Sequence, residues 1–380
     1  MKLIVWHNIM WARYKAAVFS ALHQQSKSQG VGLRIYQIAE TDSNRVALSP
    51  VDASWHVYPH VLLFKGPYSA IPRLALLKQL VRRTWSDRAD VTILTGYEHP
   101  HIWVQACVLF LLRRRFAWFC DSTIYDNPPN GPKSLAKRVL FRMADGVFCY
   151  GERASDYIHN HGVPKDKIFI RRQAAALPKD YSRETAFARR AALSPSPDKP
   201  RYLYVGRLST EKSLDLLLRA FSRVLPKHPS ATLVLVGKGP AENALQELAG
   251  NLGISQHVQF AGAKFDESLV EEYLKATCLV LPSYSEPWGL VVNESLSFGC
   301  PAIVSNRCGC VPELIDEGQT GYSFDWGSLD DLTDKIVSAP ARFSDGLSIA
   351  EACIQKSEAF TPQIAARGIL EGATSIHARR

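Results

Sequence analysis

A chain of 380 residues, 46% hydrophobic and 21% charged, has the length of two ordinary domains and a composition that excludes disordered and fibrous classes. Its net charge of +9 is unevenly held: residues 1–180 carry 25 Lys and Arg against 13 Asp and Glu, and the other 200 carry 20 against 23. A basic half joined to a near-neutral half points to an anionic partner; nucleic acid, an acidic membrane surface and a phosphorylated substrate all qualify.

In chain order, the opening MKLIVWHNIMWARYK has no secretory design, because its apolar stretch is short and broken by His7 and Asn8. Strand-like runs at 2–6, 32–37, 91–94, 116–120 and 147–150 then alternate with helix-like segments at 14–28, 72–85, 102–114 and 133–144. This is the pattern of parallel sheets covered on both faces. The longest apolar run, 102–112, is about half of what spanning a bilayer requires, so a cytoplasmic protein without transmembrane helix is expected. The eight cysteines fit buried thiols in a reducing compartment. Cys308 and Cys310 form a lone CxC with no second pair at ligand spacing, so no metal site is expected.

The Pro- and Ser-rich stretch 193–200, LSPSPDKP, reads as an interdomain linker. Beyond it the alternation restarts, with strands at 202–205, 231–236, 257–260, 278–281 and 302–305. Helices fall at 213–225, 241–252, 268–276, 290–298 and around 311–317. The expected architecture is α/β, two Rossmann-like doubly wound domains facing across a cleft with room for two substrates. Residues 1–192 form the first domain and 201–360 the second. Segment 361–380 is a C-terminal helix and a candidate to pack back on the first.

Two segments of the second domain carry chemistry. In LPSYSEPWGLVVNESLSFGCPAIVS, Glu286 falls on a loop leaving a strand and Glu294 about a turn inside the next helix. Trp288, Gly289 and Leu290 occupy the helix entrance, where free N–H groups and the dipole favour an anion. A sugar attached to a diphosphate suits that arrangement; a solvated loop and helix surface is the bland alternative. In YLYVGRLSTEKS, Arg207 and Lys212 flank a helix start, where cations oppose the macrodipole unless something negative sits between them. A diphosphate is one candidate, and two solvated loop cations are the alternative. GKGPAE has Glu242 where a dinucleotide fingerprint needs its third glycine, so Gly237 and Gly239 read as a tight strand-to-helix turn. Asp330 and Asp331 follow Ser328 and read as a helix N-cap region rather than a metal-binding pair.

These blocks, with LVLVGKGP, VQFAGAKF and PELIDEGQTGYSF, occur in an order that resembles the donor-binding domain of a large retaining glycosyltransferase family. It is the glycosyl transferases group 1, or family 4, of GT-B fold, which includes bacterial mannosyl- and glucosyltransferases and sucrose synthases. The resemblance covers residues 200–330. It implies that Arg207 and Lys212 bind the donor diphosphate and that Glu286 contacts the sugar near its reacting face. It also implies that Glu294 holds the ribose hydroxyls, that backbone at Trp288, Gly289 and Leu290 meets sugar and phosphates, and that Lys264 lies near the base.

The first domain departs from the family. Its first loop, HNIMWARYK, lacks the Gly-Gly pair that members often carry, leaving Arg13 and Lys15 as candidate anion binders, with an ordinary basic helix entrance as the alternative. Asp121 and Ser122 stand where many members have a histidine; Asp121 is a candidate to orient the acceptor or act as base, with a loop-capping role as the alternative. His99 and His101 are candidate cleft residues, with structural or solvated loop histidines as the alternative. On helix 72–85, Leu74, Leu77, Val81 and Trp85 lie among Arg73, Lys78, Arg82, Arg83 and Arg88. That suits an anionic membrane, or simply a helix covering the sheet.

The expected protein is a retaining, metal-independent hexosyltransferase with no cofactor beyond its nucleotide diphosphate sugar donor. Its acceptor is a saccharide, lipid-linked for preference, in polysaccharide or glycolipid biosynthesis, with peripheral contact to an anionic membrane and no nucleic-acid partner. The competing readings are a non-catalytic sugar-nucleotide-binding subunit and a GT-B epimerase or phosphorylase.

Overall fold

The computed structural model describes residues 1–42, 51–128, 131–193 and 196–379. The chain forms two compact units, Met1–Ala176 with Thr361–Arg380, and Leu177–Phe360.

The first unit holds strands β1 (Lys2–Ile9), β2 (Gly32–Ala39), β3 (His60–Leu62), β4 (Val91–Leu94), β5 (Phe116–Cys120), β6 (Gly146–Cys149) and β7 (Ile168–Ile170). Among the described residues these make one parallel sheet in the order β3-β2-β1-β4-β5-β6-β7, with Leu3 paired to both Leu33 and Val91. Alternate residues of β1 feed two cores. Leu3 and Val5 pack with Ala16, Phe19 and Leu22 of the helix Arg13–Ser28. Ile4 and Trp6 pack with Leu76 and Leu80 of the helix Arg73–Ser86 and with Ile102, Ala106 and Leu109 of the helix Pro100–Leu111. Both faces are covered, which is why the strands read as unbroken apolar runs.

The helix Pro362–Ala378 completes the first of those cores with Ala365, Ala366, Ile369, Leu370, Ala373 and Ile376. It lies so close that a Cβ on Gly146 would meet Ile376 Cδ1 at 2.7 Å, and one on Gly372 would meet Phe148 Cε1 at 2.3 Å.

The second unit holds β8 (Arg201–Val205), β9 (Thr232–Val236), β10 (Val258–Gly262), β11 (Cys278–Leu281), β12 (Ala302–Ser305) and β13 (Gly321–Phe324). Among the described residues they form a parallel sheet in the order β10-β9-β8-β11-β12-β13.

Several expectations change. Strands β3, β7 and β13 are additional to the sequence reading. The helix Arg183–Ala192, expected in the first domain, belongs to the second unit. Its Arg190 is 3% exposed and donates to the carbonyls of Leu274 at 2.7 Å and Ala276 at 2.8 Å. The stretch expected as a linker therefore lies within that unit, although its Ser194 and Pro195 fall outside the described residues. Cys107 is exposed, unlike the other seven cysteines. Helix Arg73–Ser86 turns Leu76, Leu80 and Thr84 to the core, not the stripe through Leu74 and Trp85. No helix among the described residues is long and apolar enough to cross a membrane.

Candidate functional site

In the second sheet the strand order reverses between β8 and β11, and the loops that follow these neighbours diverge to open a crevice. After β8, Gly206 takes φ +153° and donates to Val236 O at 3.0 Å, while Leu208 N–H donates to Lys238 O at 3.0 Å. A Cβ on Gly237 would lie 1.8 Å from Gly206 O, and one on Gly239 2.2 Å from Leu208 O. These glycines let two backbones touch, the tight-turn reading, and so fix the loop that carries Arg207.

Arg207 Nη2 meets Glu211 Oε1 at 2.7 Å, and Ser209 Oγ donates to the same oxygen at 2.7 Å. Burial pushes the Glu211 carboxyl up, but these bonds outweigh it and hold the group at about 2. Lys212 Nζ donates to Glu286 Oε2 at 2.6 Å, with the two side chains 16% and 17% exposed. The negative charge expected between the two cations is thus supplied by the chain's own Glu211 and Glu286. The two loops are also joined through backbone, Tyr284 N–H donating to Glu211 O at 2.9 Å.

The Cys308-Gly309-Cys310 segment supports Glu286 from behind. Gly309 N–H donates to Glu286 O at 2.9 Å and Cys310 N–H to Trp288 O at 3.0 Å; a Cβ on Gly309 would sit 1.9 Å from Pro287 O. Trp288 offers only its backbone to the crevice: its ring is 3% exposed and its indole N–H donates to Asn293 Oδ1 at 2.7 Å. Gly289, at φ +103°, turns the chain into the helix Leu290–Ser297, whose first N–H groups have no acceptor within the helix. Glu294, a turn inside, accepts from the Tyr273 hydroxyl at 2.7 Å. Burial raises its carboxyl to about 7, with the Tyr273 bond pulling it down.

The structure therefore brings Arg207, Lys212, Glu286, Gly289 and Leu290 to adjoining loops, with Glu294 one turn deeper. Lys264, on the loop after β10, is paired: its ammonium is 2.5 Å from Glu272 Oε1, whose other oxygen takes Arg201. Asp331 N–H donates to the capping Ser328 Oγ at 3.1 Å, the N-cap reading of that segment.

In the first unit the order reverses between β1 and β4, and there a cavity of about 250 Å³ is lined by Asn8, Lys15, Glu98, His99, Asp121 and Tyr150 among others. Asp121 faces it. Ser122 is buried and taken up by Tyr97, whose hydroxyl donates to it at 2.5 Å. His99 and His101 stack at 5.3 Å, and His101 bonds the Tyr68 hydroxyl. Burial lowers both histidines, His101 to about 4, which keeps the pair neutral near pH 7. Arg13 pairs with Asp52 at 3.6 Å, so of the two expected anion binders only Lys15 lines the cavity. Sequence reasoning missed Arg171, Tyr273 and Glu211; the last was legible only as an Arg–Glu spacing of four.

Residues 186–340 match the family profile described as glycosyl transferases group 1. The D-inositol 3-phosphate glycosyltransferase of Nocardia farcinica is 29% identical over 281 residues, 67% of this chain. The chain spans only 62% of that relative's length. The apo form of the lipopolysaccharide outer core galactosyltransferase WaaB superposes with TM-score 0.72 at 16% identity, covering 99% of both chains. Anabaena HepE, in complex with UDP and glucose, superposes with TM-score 0.72 at 17% identity over 99% of this chain and 100% of that one. Two parallel doubly wound sheets that superpose in this way are the GT-B fold. The region that resembles the glycosyl transferases group 1 family lies within the second unit.

Proposed function

We propose that this chain is a retaining, metal-independent hexosyltransferase that moves a hexose from a nucleotide diphosphate sugar to a saccharide acceptor. The observation that supports it most is the Lys212–Glu286 contact at 2.6 Å, set between the Arg207 loop and the helix opening at Gly289. A diphosphate seated there meets two cations and the amides of the helix entrance, so charge arriving on the leaving group is stabilised by groups already in place. Phosphate oxygens compete with Glu286 for the Lys212 ammonium. Once Lys212 turns to phosphate, Glu286 is released to accept sugar hydroxyls, while Glu294 serves the ribose. The acceptor then attacks the face from which the diphosphate leaves, with Asp121 orienting it or accepting its proton.

A surface of the first unit supports a lipid-linked acceptor. Leu74 and Trp85 are 83% and 63% exposed beside Arg73, Lys78 and Arg82, and Phe110 and Leu111 are exposed just ahead of Arg113, Arg114 and Arg115. Apolar groups among cations suit an anionic lipid face, each cation near the surface contributing about 1 kcal/mol. This supports a peripheral position of the proposed enzyme at the cytoplasmic membrane face, in polysaccharide or glycolipid biosynthesis.

A thermal-shift panel of UDP-, GDP-, ADP- and TDP-sugars tests the donor. A matching donor at 100 times its dissociation constant stabilises by about 2.7 kcal/mol, and a chain that none of them stabilises overturns the reading. Nucleotide release in the presence of saccharides separates an enzyme from a non-catalytic subunit, which binds without turnover.

A further inference from the structure

Among the described residues, Arg113, Arg172, Ser213 and Asp266 take the left-handed backbone although none is glycine, and Ser213 is the buried one. It has φ +50° and ψ +43° and is 5% exposed. A Cβ makes that conformation unfavourable, so the surroundings must hold it. Ser213 stands immediately after Lys212. Its N–H closes the 3-10 turn Thr210–Lys212 by donating to Thr210 O at 3.1 Å. Its carbonyl opens the helix Leu214–Val224 by accepting from Leu217 N–H at 3.3 Å. Relaxation of Ser213 to an ordinary conformation would rotate the chain on which Lys212 stands, and with it the ammonium that meets Glu286.

A hold on Ser213 comes from the loop after β13, where the Trp326 indole N–H donates to Ser213 Oγ at 3.0 Å. Trp326 is itself anchored twice by the loop after β12. Its backbone N–H donates to Asn306 Oδ1 at 3.3 Å, and the Arg307 guanidinium lies 4.4 Å from its ring centre. The same guanidinium lies 4.7 Å from the ring of Tyr284, which meets Trp326 at 4.9 Å. Tyr284 is two residues before Glu286. A stacked guanidinium orients a ring, and an indole N–H can only donate, so the Ser213 hydroxyl is its matching acceptor. One side chain thus ties the residue behind Lys212 to the loop that carries Glu286.

We propose that Trp326 is a positioning residue for Lys212: its hydrogen bond keeps Ser213 left-handed, and that conformation directs Lys212 to Glu286 and to the donor diphosphate. The role toward the diphosphate rests on the glycosyltransferase reading; the hold on Lys212 does not.

Three variants of the full chain separate the bond from the scaffold. Trp326→Phe keeps a ring for Arg307 and Tyr284 but drops the N–H. Ser213→Ala drops the acceptor and keeps the Cβ, whereas Ser213→Gly drops the acceptor yet adopts positive φ readily. Urea melts of Lys212→Met, Glu286→Gln and their double variant give the coupling between that pair. It is expected to fall to half or less in the Trp326→Phe and Ser213→Ala backgrounds and to stay above half in Ser213→Gly. A coupling that stays above half in Trp326→Phe, even where the variant melts lower, makes Trp326 merely structural and overturns the proposal; so does an equal fall in Ser213→Gly.

Calorimetric titration then uses whichever of UDP, GDP, ADP and TDP the parent binds most tightly. Trp326→Phe and Ser213→Ala are each expected to weaken it about fivefold or more, and the two together about as much as either, because one bond is lost. In the Ser213→Gly background, Trp326→Phe should change affinity by less than about twofold. Fully additive losses, or an undiminished loss in the glycine background, overturn the proposal. If the coupling falls as expected while the parent binds none of the four, or every variant binds as the parent does, the hold on Lys212 stands and the donor reading fails.

Discussion

Lys212 and Glu286 are 74 residues apart in the chain and 2.6 Å apart in the fold, each less than one-fifth exposed. The contact joins the loop after β8 to the loop after β11, so it fastens the crevice, and it is the pair proposed to meet the donor. A half-dry ion pair punishes removal of one partner more than removal of both.

Lys212→Met and Glu286→Gln are each expected to lower stability by about 1–3 kcal/mol, with the double variant losing less than the two together. Function separates them. Lys212→Met should weaken UDP about 10- to 100-fold, the worth of one charge-assisted bond. Glu286→Gln should leave UDP affinity within about twofold yet cut transfer about a hundredfold or more. Denaturant melts and calorimetric titration check both.

Glu294 makes stability depend on pH. The folded state keeps its carboxyl protonated up to about 7, whereas the unfolded chain releases that proton near 4.5. The folded state therefore binds the extra proton across this window, and stability declines as pH rises from 4.5 through 7, then levels off. Glu294→Gln is expected to remove the slope, gaining about 1–3 kcal/mol over the parent at pH 8 and nothing at pH 4. Urea melts at the two pH values decide; a parent curve that rises over this interval, unchanged in Glu294→Gln, contradicts the assignment.

Gly309 is irreplaceable for a steric reason. A Cβ there would sit 1.9 Å from the carbonyl oxygen of Pro287, so the segment behind Glu286 must shift. Gly309→Ala should cost about 1–3 kcal/mol by overpacking and weaken nucleotide binding. Gly30→Ala, with nothing within 4 Å of the added carbon but φ at +66°, serves as the control for backbone strain alone.

Leu74 and Trp85 are too exposed to contribute much to the core. Leu74→Ser with Trp85→Ser should leave the melting temperature within about two degrees while reducing sedimentation with phosphatidylglycerol vesicles several-fold. Retention of full vesicle binding in that variant, with the fold intact, removes these side chains from any membrane contact.

The sequence disclosed the elements buried on both sides and little at the margins. β1, β5, β8 and β11 read as strands because four or more consecutive apolar residues face covered cores. β3, β7 and β13 are three or four residues long and lie at sheet edges, where half-exposed side chains leave no such run. Lys212 and Glu286 were legible because their loops follow strands at recognisable spacings. What Lys264 does was not, since its pairing with Glu272 depends on how the chain enters the helix Asp266–Lys275. Arg171 gave no signal at all: one cation among 45 looks solvated until the fold closes over it.

The helix Pro362–Ala378 lies on the far side of the whole second unit in sequence yet lines the core between β1 and the helix Arg13–Ser28. On a ribosome, the amino-terminal half must therefore wait for roughly 185 further residues, about 10–40 s at ordinary synthesis rates, before its apolar face is sealed. During that interval Leu3, Val5 and Phe148 lack their final cover, so the half made first is the half finished last. Shortening the protein from its carboxyl end should consequently injure its beginning.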